Sequence, residues 1–163
     1  MSLNTQLLSG ILLGSGGSIH GLAGTDAVIN CTLFGVKALG NDDYVQGVLA
    51  KNLLGTADGL IYSVPDGSAV AVRQLWLTNT SSSAVAGVAI AIKGSAALAA
   101  SQIISSLTIP ANGLAILSDE GLRVFDSGGN LQQTSGGTTF DATLPSVTVP
   151  GTLTGVAGTA VTS

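Results

Sequence analysis

His20 is the chain's only imidazole and Cys31 its only thiol, so any Ser–His or Cys–His chemistry would have to run through these two positions. A hydrolytic triad needs a nucleophile paired with the base and an acid that orients it. No G-x-S-x-G stretch occurs, and His20 lies in a Gly-rich segment, where a surface or turn position is expected. One His and one Cys cannot make a zinc site from nitrogen and sulfur ligands. Cys31 sits in the apolar run Val28-Ile29-Asn30-Cys31-Thr32-Leu33 and is expected to be a buried small hydrophobe. Being alone, it forms no intrachain disulfide.

Gly14 to Gly17 suggests a phosphate loop, but the lysine and hydroxyl residue that complete such a loop are missing. The carboxylate pairs Asp42-Asp43 and Asp119-Glu120 could offer oxygens to Ca²⁺ or serve glycoside hydrolysis. Neither stands in D-x-D-x-D-G spacing, so both are expected in solvated turns. The aromatic residues are Phe34, Tyr44, Tyr62, Trp76, Phe125 and Phe140. Sugar platforms need such rings exposed, whereas Trp76 between Leu75 and Leu77 is expected to pack in the core. No catalytic, cofactor-binding or metal-ligating residue is therefore assigned, and the chain is expected not to be an enzyme.

The elements that would carry these residues are β-strands. The 163 residues suit one domain with extensions, long enough to bury a core without disulfide or metal. Residues 1–25 are rich in Gly and Ser and are expected to form an arm or irregular lead-in. Residues 26–36 are β-branched and apolar and predict a strand; residues 42–54 are the one stretch with helical character. From residue 59 onward short strands alternate with turns. Leu60 to Val64 is followed by Pro65-Asp66-Gly67-Ser68, and Ala69 to Asn79 by Thr80-Ser81-Ser82-Ser83. In Ala69 to Asn79 the apolar phase slips at Arg73-Gln74, which predicts a β-bulge. Val88, Ile90 and Ile92 alternate with Gly87, Ala89 and Ala91, predicting a deep core on one face and a close approach on the other. Strands at 103–109, 114–117, 122–125, 131–134 and 138–143 complete the set.

This spacing predicts an all-β chain folded as an antiparallel β-sandwich, jelly-roll or immunoglobulin-like. An N-terminal arm, strand and short helix would cover residues 1–53, the sandwich 54–143, and an extended C-terminal arm 144–163. That tail carries Pro145 and Pro150 and no charge, and is expected to lie on a neighbouring subunit.

Composition narrows the function. Only 9% of residues are charged, against about 25% in ordinary soluble domains. Hydroxyl residues take up the difference: 18 Ser and 16 Thr give 34 of 163 positions. So charge-poor a surface fits burial against other subunits better than a free monomer. The five basic residues, Lys37, Lys51, Arg73, Lys93 and Arg123, are scattered and offer no patch for phosphates, so direct nucleic-acid binding is not expected. No apolar stretch reaches the about 20 residues of a membrane-spanning helix, and the start lacks a basic region before its apolar residues, so neither membrane span nor signal peptide is expected.

The stretch Leu54-Gly55-Thr56-Ala57-Asp58-Gly59-Leu60-Ile61-Tyr62-Ser63-Val64-Pro65-Asp66-Gly67 resembles a recurring opening of small tailed-bacteriophage virion proteins. Leu75-Trp76-Leu77-Thr78-Asn79-Thr80-Ser81, Ile109-Pro110-Ala111-Asn112-Gly113 and Gly121-Leu122-Arg123-Val124 are similar to the strands and turns that follow in them. The resemblance covers residues 54–135 and is one of strands and turns, not of a catalytic signature. It implies a β-sandwich displayed on a capsid or tail, without saying which; a capsid cement or decoration subunit is the leading expectation. A tail or fibre component or a glycan-binding receptor module is the alternative. The implied partners are copies of the chain itself, in a homo-oligomer such as a trimer, and the major capsid or other virion proteins.

Overall fold

The computed structural model describes residues 11–39, 43–94 and 101–135. These residues are all-β, without a helix, and form eleven strands: β1 Leu12–Leu13, β2 Ser18–Leu22, β3 Ile29–Leu39, β4 Asp43–Leu54, β5 Gly59–Ser63, β6 Ser68–Asn79, β7 Val85–Lys93, β8 Ser101–Ile109, β9 Leu114–Ser118, β10 Gly121–Phe125 and β11 Leu131–Ser135.

The strands build two antiparallel sheets. A seven-stranded sheet runs β11-β10-β9-β6-β3-β4, with β1 paired to β6 off that path, and a four-stranded sheet runs β5-β2-β7-β8. The long β3 is central, paired with β4 and with β6. Alternation decides what each strand buries. Ile29, Cys31 and Leu33 of β3 and Val70, Val72, Leu75 and Leu77 of β6 join Ile19 of β2, Val88 and Ile90 of β7 and Ile104, Leu107 and Ile109 of β8 in one apolar cluster. Val88 and Ile90 are wholly buried and Ile92 packs partly buried against the cluster, as the large/small alternation predicts.

Asn79 is one of two buried polar residues among those described. Its Nδ2 donates to the carbonyls of Ser83, Ile109 and Pro110, and its Oδ1 accepts from the Ser81 amide. The side chain thus ties β6 in one sheet to the end of β8 in the other. Turns fall where their residues require: Gly67 has φ +70° in the Pro65–Ser68 turn, a region closed to most side chains.

Three expectations are corrected. Residues 43–54 form a strand, not a helix, because Tyr44, Val45 and Val48 favour extended backbone and β3 offers a partner along the whole length. Residues 12–22, expected within an arm or irregular lead-in, carry β1 and β2, which pair into the two sheets, and the strand expected at 26–36 is β3, at the centre of the larger sheet. Trp76 is 38% exposed, outside the core. The strand expected at 138–143 and the tail 144–163 lie outside the described residues.

Candidate functional site

Within the described residues, nine large hydrophobic side chains are exposed: Leu12, Leu39, Tyr44, Val45, Val48, Leu53, Leu60, Trp76 and Leu131. Only Leu60 belongs to the four-stranded sheet; the other eight belong to strands of the seven-stranded one. Register shows which face they share. Leu53 pairs with Asn30, Val48 with Phe34, Tyr44 with Ala38, Trp76 with Thr32, Leu12 with Ala71 and Leu131 with Phe125. All six have the parity opposite to Ile29, Cys31, Leu33, Val70, Leu77 and Val124, so they stand on the outer face. Between them lie Thr32 and Thr78, and Lys51 and Arg123 stand on the same face, in register with Thr32 and Ile116. A sheet solvated on one side normally turns polar residues outward. Exposed apolar side chains gathered on one face of a sheet point to an interaction site.

The same face carries a depression where two bulges meet. Along β3, Leu33 pairs with Ala50 and Phe34 with Val48, so Leu49 is an extra residue in β4. On the other side Phe34 pairs with Gln74 and Gly35 with Val72, leaving Arg73 as the extra residue in β6, where the phase slip predicts it. The two bulged strands close on Gly35: a Cβ there would lie 2.4 Å from the Ala71 carbonyl oxygen and 2.7 Å from Leu49 Cδ1. At this level β6 also changes its outer partner, from β1 at Val70 and Ala71 to β9 from Leu75 onward. A depression of about 400 Å³ results, lined by Phe34, Gly35, Gln46, Gly47, Arg73, Gln74 and Asp119. Beside it the Phe34 and Trp76 rings pack with centroids 5.1 Å apart at 57°.

The outer face of the four-stranded sheet carries a second trough, about 540 Å³, lined by His20, Gly21, Leu22, Asp58, Ala89, Ala91 and Lys93. Ala89 and Ala91 are the small residues expected to allow a close approach. His20 is not in a turn but within β2, where Ala91 and Leu60 flank it across the sheet. Its Nδ1 lies 3.4 Å from Asp58 Oδ2 without hydrogen-bond alignment, and is sealed from solvent. Lys93 donates to the Asp58 carboxylate and, with His20 nearby, holds its pKa below the usual value.

The remaining sequence candidates stay apart. Cys31 is buried, and desolvation pushes its thiol up to about 12. Asp119 and Glu120 occupy the turn between β9 and β10, where Glu120 pairs with Arg123, and Asp43 opens β4. Gly14 to Gly17 form the turn between β1 and β2, closed by a Gly17 N–H to Gly14 carbonyl bond of 3.0 Å. Sequence reasoning missed the exposure of Trp76 and the grouping of Gln46, Arg73, Gln74 and Asp119. The signal for the first was present: one extra residue at Arg73 restores Val70, Val72, Leu75 and Leu77 to a common face and turns Trp76 outward.

No protein-family model, no curated protein and no solved structure matches this chain.

Proposed function

We propose that this chain is a non-enzymatic structural subunit of a viral particle, a capsid cement or decoration protein. In this reading it stabilises the shell through contacts with copies of itself and with the major capsid protein. The two sheets serve as a jelly-roll- or immunoglobulin-like sandwich, and residues 144–163 as an arm laid on a neighbouring subunit. The observation that carries the reading is the outer face of the seven-stranded sheet, with Leu53, Trp76, Val48 and Leu131 exposed on a chain of which only 9% is charged. Removing the apolar part of such a surface from water is worth about 25 cal/mol per Å².

The test places Asp at Leu53 and Leu131 together. Sedimentation of the purified protein, and its co-sedimentation with particles that lack it, should both show lost association while the melting temperature holds. Unchanged association in both assays would sink the reading. Mass spectrometry of purified particles checks the virion assignment separately.

A second reading, a glycan-binding receptor module of a tail or fibre, has one observation in its favour: the exposed Trp76 beside a polar depression.

A further inference from the structure

We propose that the double-bulge depression is a carbohydrate site that holds a single pyranose ring. The apolar ring face would lie against the Phe34–Trp76 pair, and the ring hydroxyls would bond to Gln46, Arg73, Gln74 and Asp119. The inference rests on the receptor-binding reading and names its site and ligand chemistry.

Two features separate this depression from the larger trough on the other sheet. In the trough, Asp58 and Lys93 already satisfy each other, over a floor of alanines. In the depression, the side chains of Gln46, Arg73, Gln74 and Asp119 make no hydrogen bond or ion pair among the described residues. They bring two amides, a guanidinium and a carboxylate to one rim. Planar groups of this kind bond vicinal hydroxyls in pairs, the amide and guanidinium N–H groups donating and the carboxylate and amide oxygens accepting. The second feature is the aromatic pair. Phe34 lines the depression, and Trp76, two residues along β6 from Gln74, keeps 38% of its surface exposed. The C–H groups of a pyranose present an apolar, weakly positive face that suits the negative face of an indole. An anion would meet Asp119, and a cation would meet Arg73; a neutral polyol uses both. The volume, about 400 Å³, lies in the ordinary range of small-ligand sites.

The site is also held rigidly. Gly35 lies where the β6 backbone and the Leu49 side chain of β4 converge, and Gln46, Arg73 and Gln74 are strand residues, not loop residues. Only Asp119 comes from a turn, a tight one between paired strands.

Trp76 is the chain's only tryptophan and packs on Phe34 at the edge of the depression, so its fluorescence reports on a ligand laid against that pair. The full chain is titrated with the methyl pyranosides of glucose, galactose, mannose and N-acetylglucosamine, and is applied in parallel to a printed glycan array. The expected result is a saturable emission change with at least one glycoside, in the millimolar range usual for one sugar on an open site, and array binding that shares its terminal sugar. Gln74→Ala and Asp119→Asn, both exposed and outside the core, should each weaken binding at least tenfold. Lys93→Ala, on the opposite sheet, should not. Array binding that survives Gln74→Ala, Asp119→Asn and Trp76→Ala overturns this site and leaves the receptor reading standing. No array binding and no glycoside response overturns both. Emission that shifts with protein concentration and not with sugar assigns the face to self-association and also overturns the proposal.

Discussion

The two sheets contribute similarly to the core between them: Ile29, Leu33, Leu75 and Leu77 from the seven-stranded sheet, Ile19, Val88, Ile90 and Ile109 from the four-stranded one. Their outer faces diverge. On the four-stranded sheet β7 turns Ala89 and Ala91 outward, and the charged groups near them pair locally. On the seven-stranded sheet β4, β6 and β11 turn out Val48, Leu53, Trp76 and Leu131. Core formation demands only one apolar face per sheet. The exposed apolar side chains on the outer face of the larger sheet are therefore not needed for folding and are free to serve an interaction.

That comparison can be broken first from the inside. Ile90→Ala in β7 and Leu77→Ala in β6 should each cost about 2–5 kcal/mol in urea unfolding, because both side chains are buried with little room to relax. A loss below half a kcal/mol in either would mean that one sheet does not contribute to a shared core. Asn79→Ala probes the link between sheets. It removes the donor that three carbonyls share and should cost about 1–3 kcal/mol by the same measurement. A neutral result would leave apolar contact and the Asn52 Nδ2 bonds to the Leu60 and Ile61 carbonyls of β5 to join the sheets.

Cys31 tests whether the inner face of β3 is dry. Its folded pKa, about 12, is raised above the ordinary value of 9.0 by desolvation. The folded state therefore holds the proton more tightly, and the stabilising effect is complete below pH 9 and lost as pH rises toward 12. Relative to Cys31→Ala, the native protein should lose about 1.4 kcal/mol between pH 8 and pH 10. The thiol should resist an aromatic disulfide reagent at pH 8 until the protein is denatured. Rapid reaction in the folded state would show that water reaches the core.

The outward comparison predicts smaller effects on stability. Leu53→Ser on the larger sheet and Ala91→Ser on the smaller should each change unfolding by no more than about 0.5 kcal/mol. Only the first should reduce self-association in sedimentation. Equal effects would erase the distinction between the faces. Smallest of all is Asp58, half exposed, whose carboxyl Lys93 holds below its ordinary 3.8. A depressed folded pKa contributes stability above the ordinary value, and that contribution is lost as pH falls through the folded one. The melting temperature of Asp58→Asn should thus fall less steeply than wild type below about pH 4.

Much of this was legible locally. The bulge at Arg73 follows from a phase slip visible in twelve residues, and the inward set of β7 follows from its large/small alternation. The turns at Pro65–Ser68 and Ser127–Asn130 follow from residues that accept tight backbone. What escaped was anything that depends on a partner strand. The stretch 43–54 carries enough Leu, Ala and Lys for a helix, and only pairing with β3 makes it extended. Trp76 between two leucines reads as core until the bulge is carried through to its end. His20 and Asp58 are 38 positions apart and meet because β2 and β5 are neighbours.

By itself, then, the sequence determined the all-β class, the inward set of β7, the bulge in β6 and the poverty of charge. These are properties of short windows and of composition, where side-chain alternation and turn chemistry act over a few residues. Tertiary structure alone decided that β3 lies at the centre of the larger sheet, that β1 and β2 pair into the two sheets, and that Gln46, Arg73, Gln74 and Asp119 line one depression. The reason is physical. Strand order is set by hydrogen bonds between segments tens of residues apart, and no local preference records which backbone a free edge will meet.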